Sequence, residues 1–229
     1  MTEAAESSPE AGQDRDRILN LSDGVFAIAI TILVLDIRVP DIPSNVVARE
    51  LPGRILELGP KVLSYVISFL VLAVYWQAYH RAFRPIRGYD RTLVWLNFLF
   101  LMAVAFLPFP TSLLGEYSEE QISVVIYAVN VAVASLLLVA ISWYATSGRR
   151  LVAPNLDDEV ERIQRLQGLA VPVVFLLSIG VSFFSPVAAM YSWLLLSATD
   201  PLIRGCGPAN RLGKHRWRLR RRNFGAASS

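Results

Sequence analysis

Cysteine is all but missing: Cys206 stands alone in 229 residues. A single thiol excludes an internal disulfide framework and any metal site built on paired CxxC ligands. Histidine is nearly as scarce, at two residues. His80, the one inside an apolar segment, has no second ligand at i+4, so zinc and di-iron readings have nothing to stand on. Charge is thin as well, with Asp, Glu, Lys and Arg at 18% where a soluble domain carries about a quarter. No GxSxG elbow is present. Ser22 and Asp23 are neighbours, hence about 100° apart on a helix, and cannot converge on His80 as a hydrolytic triad. Enzyme chemistry and bound cofactors are therefore not expected.

What the chain has is apolar surface. Hydrophobic residues make up 54%, and the mean hydropathy is +0.43. The charges crowd the two ends and a few short stretches, which leaves long segments with almost none. This patterning excludes a soluble domain and predicts an all-α membrane protein. A crossing needs roughly 17–25 mainly apolar residues, and six segments qualify. They are Ile18–Ile37, Lys61–Tyr79, Thr92–Leu114, Ile122–Ala145, Gly168–Phe184 and Val187–Ile203. The last two share the turn Phe184-Ser185-Pro186 and should form a hairpin, and Pro108 and Pro110 should kink the third. The acidic start and the lack of a cleavage site argue against a signal peptide.

Residues 1–14 are acidic and rich in Ser and Ala, an expected disordered N-terminus. Residues 15–203 form the six-helix transmembrane domain, and residues 204–229 a basic tail. Between spans one and two, residues 39–60 make the one sizeable loop, with a short helix expected around Asn45–Leu58. Orientation follows from the basic residues. Eighteen of the 22 fall on the side shared by both termini, and only Arg38, Arg49, Arg54 and Lys61 on the other. Both termini are thus expected to be cytoplasmic. The tail then reads as a topology anchor facing anionic headgroups, not a nucleic-acid site, since no stacking module accompanies it. Arginine outnumbers lysine twenty to two, a codon signature of a GC-rich bacterial genome.

Ionisable and polar groups inside spans are costly and usually pair or line a path. Asp200, at the end of span six, precedes Pro201 and suits an interfacial or capping role. The topology brings Ser22, Asp23, Trp76, His80 and Asn97 to one depth near the cytoplasmic face, which predicts a buried hydrogen-bonded cluster. Asp23 would accept from His80, the Trp76 indole or Asn97. On the first helix, Gly24, Ile28, Thr31, Ile32 and Leu35 fall within a sector about 100° wide, and Asp23 lies about 140° from Ile28. An apolar ladder of this kind can face lipid, pack in a core or line a pore, and the residues alone leave those readings open.

The stretch from Arg17 to Asp36 (RILNLSDGVFAIAITILVLD) closely resembles the first helix of the transmembrane protein 175 family of potassium-permeable channels, with its R…FSD(G/A) hallmark. Leu21 stands where the hallmark has Phe. The likeness continues through Trp76-xxx-His80-xx-Phe83-xx-Ile86-xxx-Asp90, Leu96-Asn97 and Phe106-Leu107-Pro108-Phe109. It implies a channel whose pore is lined by the first helix of each subunit, with no carbonyl filter. Carried over residue by residue, Ile28 takes the main constriction, Leu35 a further apolar ring and Thr31 the hydroxyl tied to cation selectivity, with Ile32 a lesser neighbour. Arg17, Ser22, Asp23, Trp76, His80 and Asn97 would form the packing network behind the pore helix. One repeat of six spans implies a homotetramer in a bacterial plasma membrane, passing K⁺, with other monovalent cations and H⁺ as further candidate permeants. A proton-permeable channel or proton-coupled transporter using Asp23 and His80 is the alternative.

Overall fold

The computed structural model describes residues 9–86, 88–147, 151, 173, 175, 177, 178 and 180. Among these the architecture is all-helical. Helix α1 spans Pro9–Leu33, ending in a 3-10 turn over Val34–Asp36, and α2 spans Val47–Glu57. Then follow α3 (Gly59–Phe83), α4 (Arg91–Phe106), α5 (Pro108–Glu116) and α6 (Gln121–Thr146). Four stretches are long and apolar enough to cross a bilayer: Asp16–Asp36, Gly59–Phe83, Arg91–Glu116 and Gln121–Thr146. They match the first four expected spans and run a few residues past most of the expected ends. Helical hydrogen bonding does not stop where hydropathy falls. The expected spans Gly168–Phe184 and Val187–Ile203 lie outside the described residues, apart from helical positions 173, 175, 177, 178 and 180. Asp200 and the 204–229 tail lie outside them too.

Two local features follow directly from sequence. Pro108 has no N–H and cannot continue the i→i−4 ladder, so the third span breaks at Leu107, whose N–H bonds Val104 at 3.2 Å instead. The expected kink is thus an interruption between α4 and α5. Asp90 caps α4, its Oδ1 accepting from the Leu93 N–H at 2.9 Å, which satisfies one orphan donor of the first turn. At the other end of the chain composition misleads. Among the described residues helix α1 spans Pro9–Leu33, so residues 9–14 are helical where disorder is expected. The helix formers Glu10, Ala11 and Gln13 extend a helix already nucleated by the span.

In the bundle, α4 packs on α6, α3 on α5 and α6, and α1 against α3, α4 and α5. Lipid tails are as apolar as leucine, so close packing and interhelical hydrogen bonds hold such helices together. Both are evident. Phe26 of α1 sits 6.0 Å, centroid to centroid, from Tyr79 of α3 and from Phe100 of α4, and those two rings stack at 5.6 Å. Deeper in, Thr111 donates to Ser68 at 2.7 Å and Ser68 to the Tyr127 hydroxyl at 3.1 Å, joining α5, α3 and α6. Tyr75 reaches the Val131 carbonyl and Ser135 of α6. Gly115 lets α5 close on α3, since a Cβ there would meet Ser64 Oγ at 2.7 Å and Lys61 Cα at 3.2 Å.

Candidate pore-lining face and the network behind it

Helix α1 is divided along its length. Ser22, Phe26, Ala29 and Leu33 are buried, and their spacing of four, three and four residues puts them on one face. The other side carries Arg17, Gly24, Ile28, Thr31, Ile32 and Leu35, all exposed in the subunit. Ile28 is 60% and Leu35 70% exposed, and a Cβ on Gly24 would touch nothing within 4 Å. The Thr31 hydroxyl donates to its own helix, 2.9 Å from the Ile28 carbonyl and 3.0 Å from that of Ala27. That back-bond uses the proton and leaves acceptor lone pairs on the bare face.

Behind that face, the residues placed at one depth by topology divide into two groups. The inner group is buried. Ser22 Oγ lies 2.8 Å from the Ile18 carbonyl and 2.7 Å from the Tyr79 hydroxyl, and the Asn97 amide approaches it at 3.5 Å. The outer group is half exposed. Asp23 Oδ1 accepts from the Trp76 indole at 2.9 Å and lies 3.4 Å from His80 Nε2. His80 Nδ1 faces the Trp76 carbonyl at 3.1 Å, and the Trp76 and His80 rings lie 4.6 Å apart. Both ring nitrogens of His80 therefore face oxygen acceptors.

Three expectations change in detail. Asp23 and His80 are 43% and 33% exposed, not buried, because a residue next to buried Ser22 is turned about 100° away from the helix interface. Asn97 serves Ser22 instead of Asp23, and its Oδ1 is buried without a partner among the described residues. Arg17 sits on the exposed side with Gly24 and Ile28. Six residues of helix separate its azimuth from that of Asp23 by about 120°, and no contact with the network holds it among the described residues.

Tyr79, Asp36 and Ser112 join the site without a hydropathy signal. The Ser112 hydroxyl donates to Asp36 Oδ1 at 2.7 Å, tying the far end of α1 to α5. The available cue for Tyr79 is the run Ser64, Ser68, Tyr75, Tyr79, one hydroxyl-bearing face on an otherwise apolar α3. The motif residues beyond His80 are also accounted for. Phe83 and Ile86 are fully buried, and Asp90 combines its cap with a hydrogen bond from the Tyr144 hydroxyl of α6.

A multi-pass helical membrane protein with one helix bare along an apolar stripe and tethered from behind has the build of an ion-channel subunit. Comparison with known proteins supplies the family. The family described as "Endosomal/lysosomal potassium channel TMEM175" matches residues 17–108. A potassium channel of Streptomyces collinus is 35% identical over 177 residues, 74% of this chain and 82% of that protein. A potassium channel of Chamaesiphon minutus is 36% identical over 189 residues, 81% of this chain and 90% of that protein. The human endosomal/lysosomal proton channel TMEM175 is 26% identical over 157 residues, 69% of this chain but 31% of that protein. The crystal structure of a lysosomal potassium-selective channel TMEM175 homolog from Chamaesiphon minutus superposes with a TM-score of 0.73 at 31% identity, covering 85% of this chain and 100% of that one. The chain belongs to the TMEM175 family of cation channels.

Proposed function

We propose that the protein is a potassium-permeable leak channel of a bacterial plasma membrane, built as a homotetramer around four copies of α1, with both termini cytoplasmic. The observation that carries this reading is the bare stripe of α1. Gly24, Ile28, Thr31, Ile32 and Leu35 share one exposed face while every tether of the helix is on the other. A single helix cannot enclose a path, and a closed C4 ring around this face gives it a use. In that ring Ile28 forms the main constriction and Leu35 a further apolar ring. An apolar constriction passes or blocks ions by wetting and dewetting, and offers few oxygens in place of a hydration shell. The outward lone pairs of Thr31 supply some of them, so selectivity for K⁺ over Na⁺ is moderate. The Ser22–Tyr79–Asn97 and Asp23–Trp76–His80 groups hold the helix from behind. The naming of several relatives as potassium channels supports the same reading.

The test is flux in potassium-loaded liposomes carrying a proton-sensitive dye. Proton uptake that needs a protonophore reports electrogenic K⁺ efflux through the protein. Ile28→Asn should then raise sodium flux severalfold, and unchanged conductance and selectivity would remove Ile28 from the constriction. A second reading rests on the half-exposed Asp23–His80 pair, which offers a place to hold a proton beside the pore helix. It predicts proton movement without the protonophore, lost in Asp23→Asn.

A further inference from the structure

The end of the bundle remote from Asp23 carries a second polar site, separate from the α1 stripe. Three chain segments meet there: the residues after the 3-10 turn, the Leu58 junction leading into α3, and the end of α5. They bound a cleft of about 510 Å³ whose wall includes Arg38, Asp41, Arg54, Glu57, Lys61 and Glu116. That volume is ordinary for a small-ligand site. Three of the four basic residues assigned to this side of the membrane thus line one cleft.

Its charges are not all spent. Arg54 pairs with Glu57 at 3.2 Å, and Lys61 pairs with Glu116. Arg38 and Asp41 are exposed and have no ion-pair partner among the described residues. The cleft therefore offers one open guanidinium and one open carboxylate, which suits a ligand carrying both an anionic and a cationic group.

The surroundings say where such a ligand comes from. Val39, on the cleft wall, is 89% exposed. Helix α2 beside it has no buried residue, yet Val47, Leu51 and Ile55 lie at i, i+4 and i+8 on one face, the pattern of a helix lying in a bilayer interface. The cleft is ringed by the ends of three spans, at Asp36, Gly59 and Glu116, and span ends lie where hydrocarbon gives way to headgroups.

We propose that this cleft holds the headgroup of a zwitterionic aminophospholipid, with its phosphodiester on Arg38 and its primary ammonium on Asp41, while α2 lies along the interface. A guanidinium fork matches two phosphate oxygens, and an ammonium donates N–H bonds to a carboxylate. Phosphatidylcholine has no N–H to donate to Asp41, and phosphatidylglycerol has no cation for it.

Native mass spectrometry of the full-length protein, with phosphatidylethanolamine, phosphatidylcholine and phosphatidylglycerol supplied in equal amounts, tests this. Phosphatidylethanolamine should be retained in preference to the other two. Arg38→Ala should cut its retention about tenfold, the loss expected for one charge-assisted contact. Asp41→Asn should erase the preference over phosphatidylcholine, and Arg49→Ala, on α2 but not on the cleft wall, should change neither. Asp41→Asn carries the test by itself if Arg38→Ala fails to elute as the wild type does. Equal retention of the three lipids by the wild type, or an Arg49→Ala effect as large as that of Arg38→Ala, would overturn the proposal. Soluble phosphoethanolamine or inorganic phosphate binding as tightly as the lipid would also overturn it, making this a site for a free phosphate ligand.

Discussion

Ser22 and Thr31 sit nine residues apart on α1, and removing either hydroxyl is a small change on paper. The structure assigns the two substitutions opposite consequences. Ser22 Oγ is buried, lies 2.7 Å from the Tyr79 hydroxyl and receives the Asn97 amide at 3.5 Å. In Ser22→Ala the tyrosine hydroxyl loses its 2.7 Å partner and is left with Asn97 alone, and Asn97, whose Oδ1 is already unpartnered, loses its contact with Ser22. Stranding a buried polar group costs about 1–3 kcal/mol, and interhelical hydrogen bonds within membranes fall toward the lower end. A total near 2 kcal/mol is about a 30-fold change in the folded ratio, or a melting shift of about 4–8 °C for a chain of this size. Thr31, by contrast, bonds only to its own helix and points away from the bundle. Thr31→Val should hold stability within about 0.5 kcal/mol and shift the K⁺/Na⁺ flux ratio instead. The assay pairs thermal denaturation followed by size-exclusion fluorescence with liposome flux on the same preparations. A Ser22→Ala protein melting with the wild type, alongside a destabilised Thr31→Val, would refute the assignment of buried and bare faces.

Further substitutions separate packing from exposure. Asp23→Ala removes the acceptor of the Trp76 indole, but Asp23 is 43% exposed. The indole is itself 43% exposed and can turn to another acceptor, so the melting loss should be smaller than for Ser22→Ala. Gly115→Ala forces a methyl toward Lys61 Cα at 3.2 Å, so α3 and α5 must part at a cost of about 1–3 kcal/mol. Adding Ser64→Ala should recover only part of that loss in the same melting assay, because the backbone contact persists. Asp90→Ala removes the α4 cap and the acceptor for Tyr144, lowering stability by about 1–2 kcal/mol. Asp90→Asn, which still caps, should lose clearly less.

The spans were legible because a bilayer leaves the backbone no alternative to internal hydrogen bonding. Long apolar runs must be helices there, and their ends are marked by charge. The break at Leu107 was legible for a similarly local reason, the missing N–H of Pro108. The two-sidedness of α1 followed from helical period alone. Partnership was less legible. Asn97 could be placed at the depth of Ser22 and Asp23, yet a rotation of α4 by one residue's worth of azimuth decides which of them it meets. Tyr79 stayed hidden because an aromatic within an apolar span reads as bulk, and its hydroxyl matters only once Ser22 is 2.7 Å away. Residues 9–14 are helical against their composition, because composition reports polarity, and polarity alone does not forbid extending a helix that the span has already formed.

The sequence by itself determined the solvent, the number and position of the first four crossings, and the azimuth of each side chain on its own helix axis. These depend on hydrophobicity and on a fixed rise and rotation per residue, both properties of the chain taken locally. The tertiary structure alone decided which azimuths face each other. It divided the polar layer into a buried Ser22–Tyr79–Asn97 group and a half-exposed Asp23–Trp76–His80 group. It also latched Asp36 to Ser112 and gathered Arg38 and Asp41 into one cleft. Those outcomes depend on how helices are rotated and spaced against one another, and close packing sets that rotation through side chains far apart in the chain.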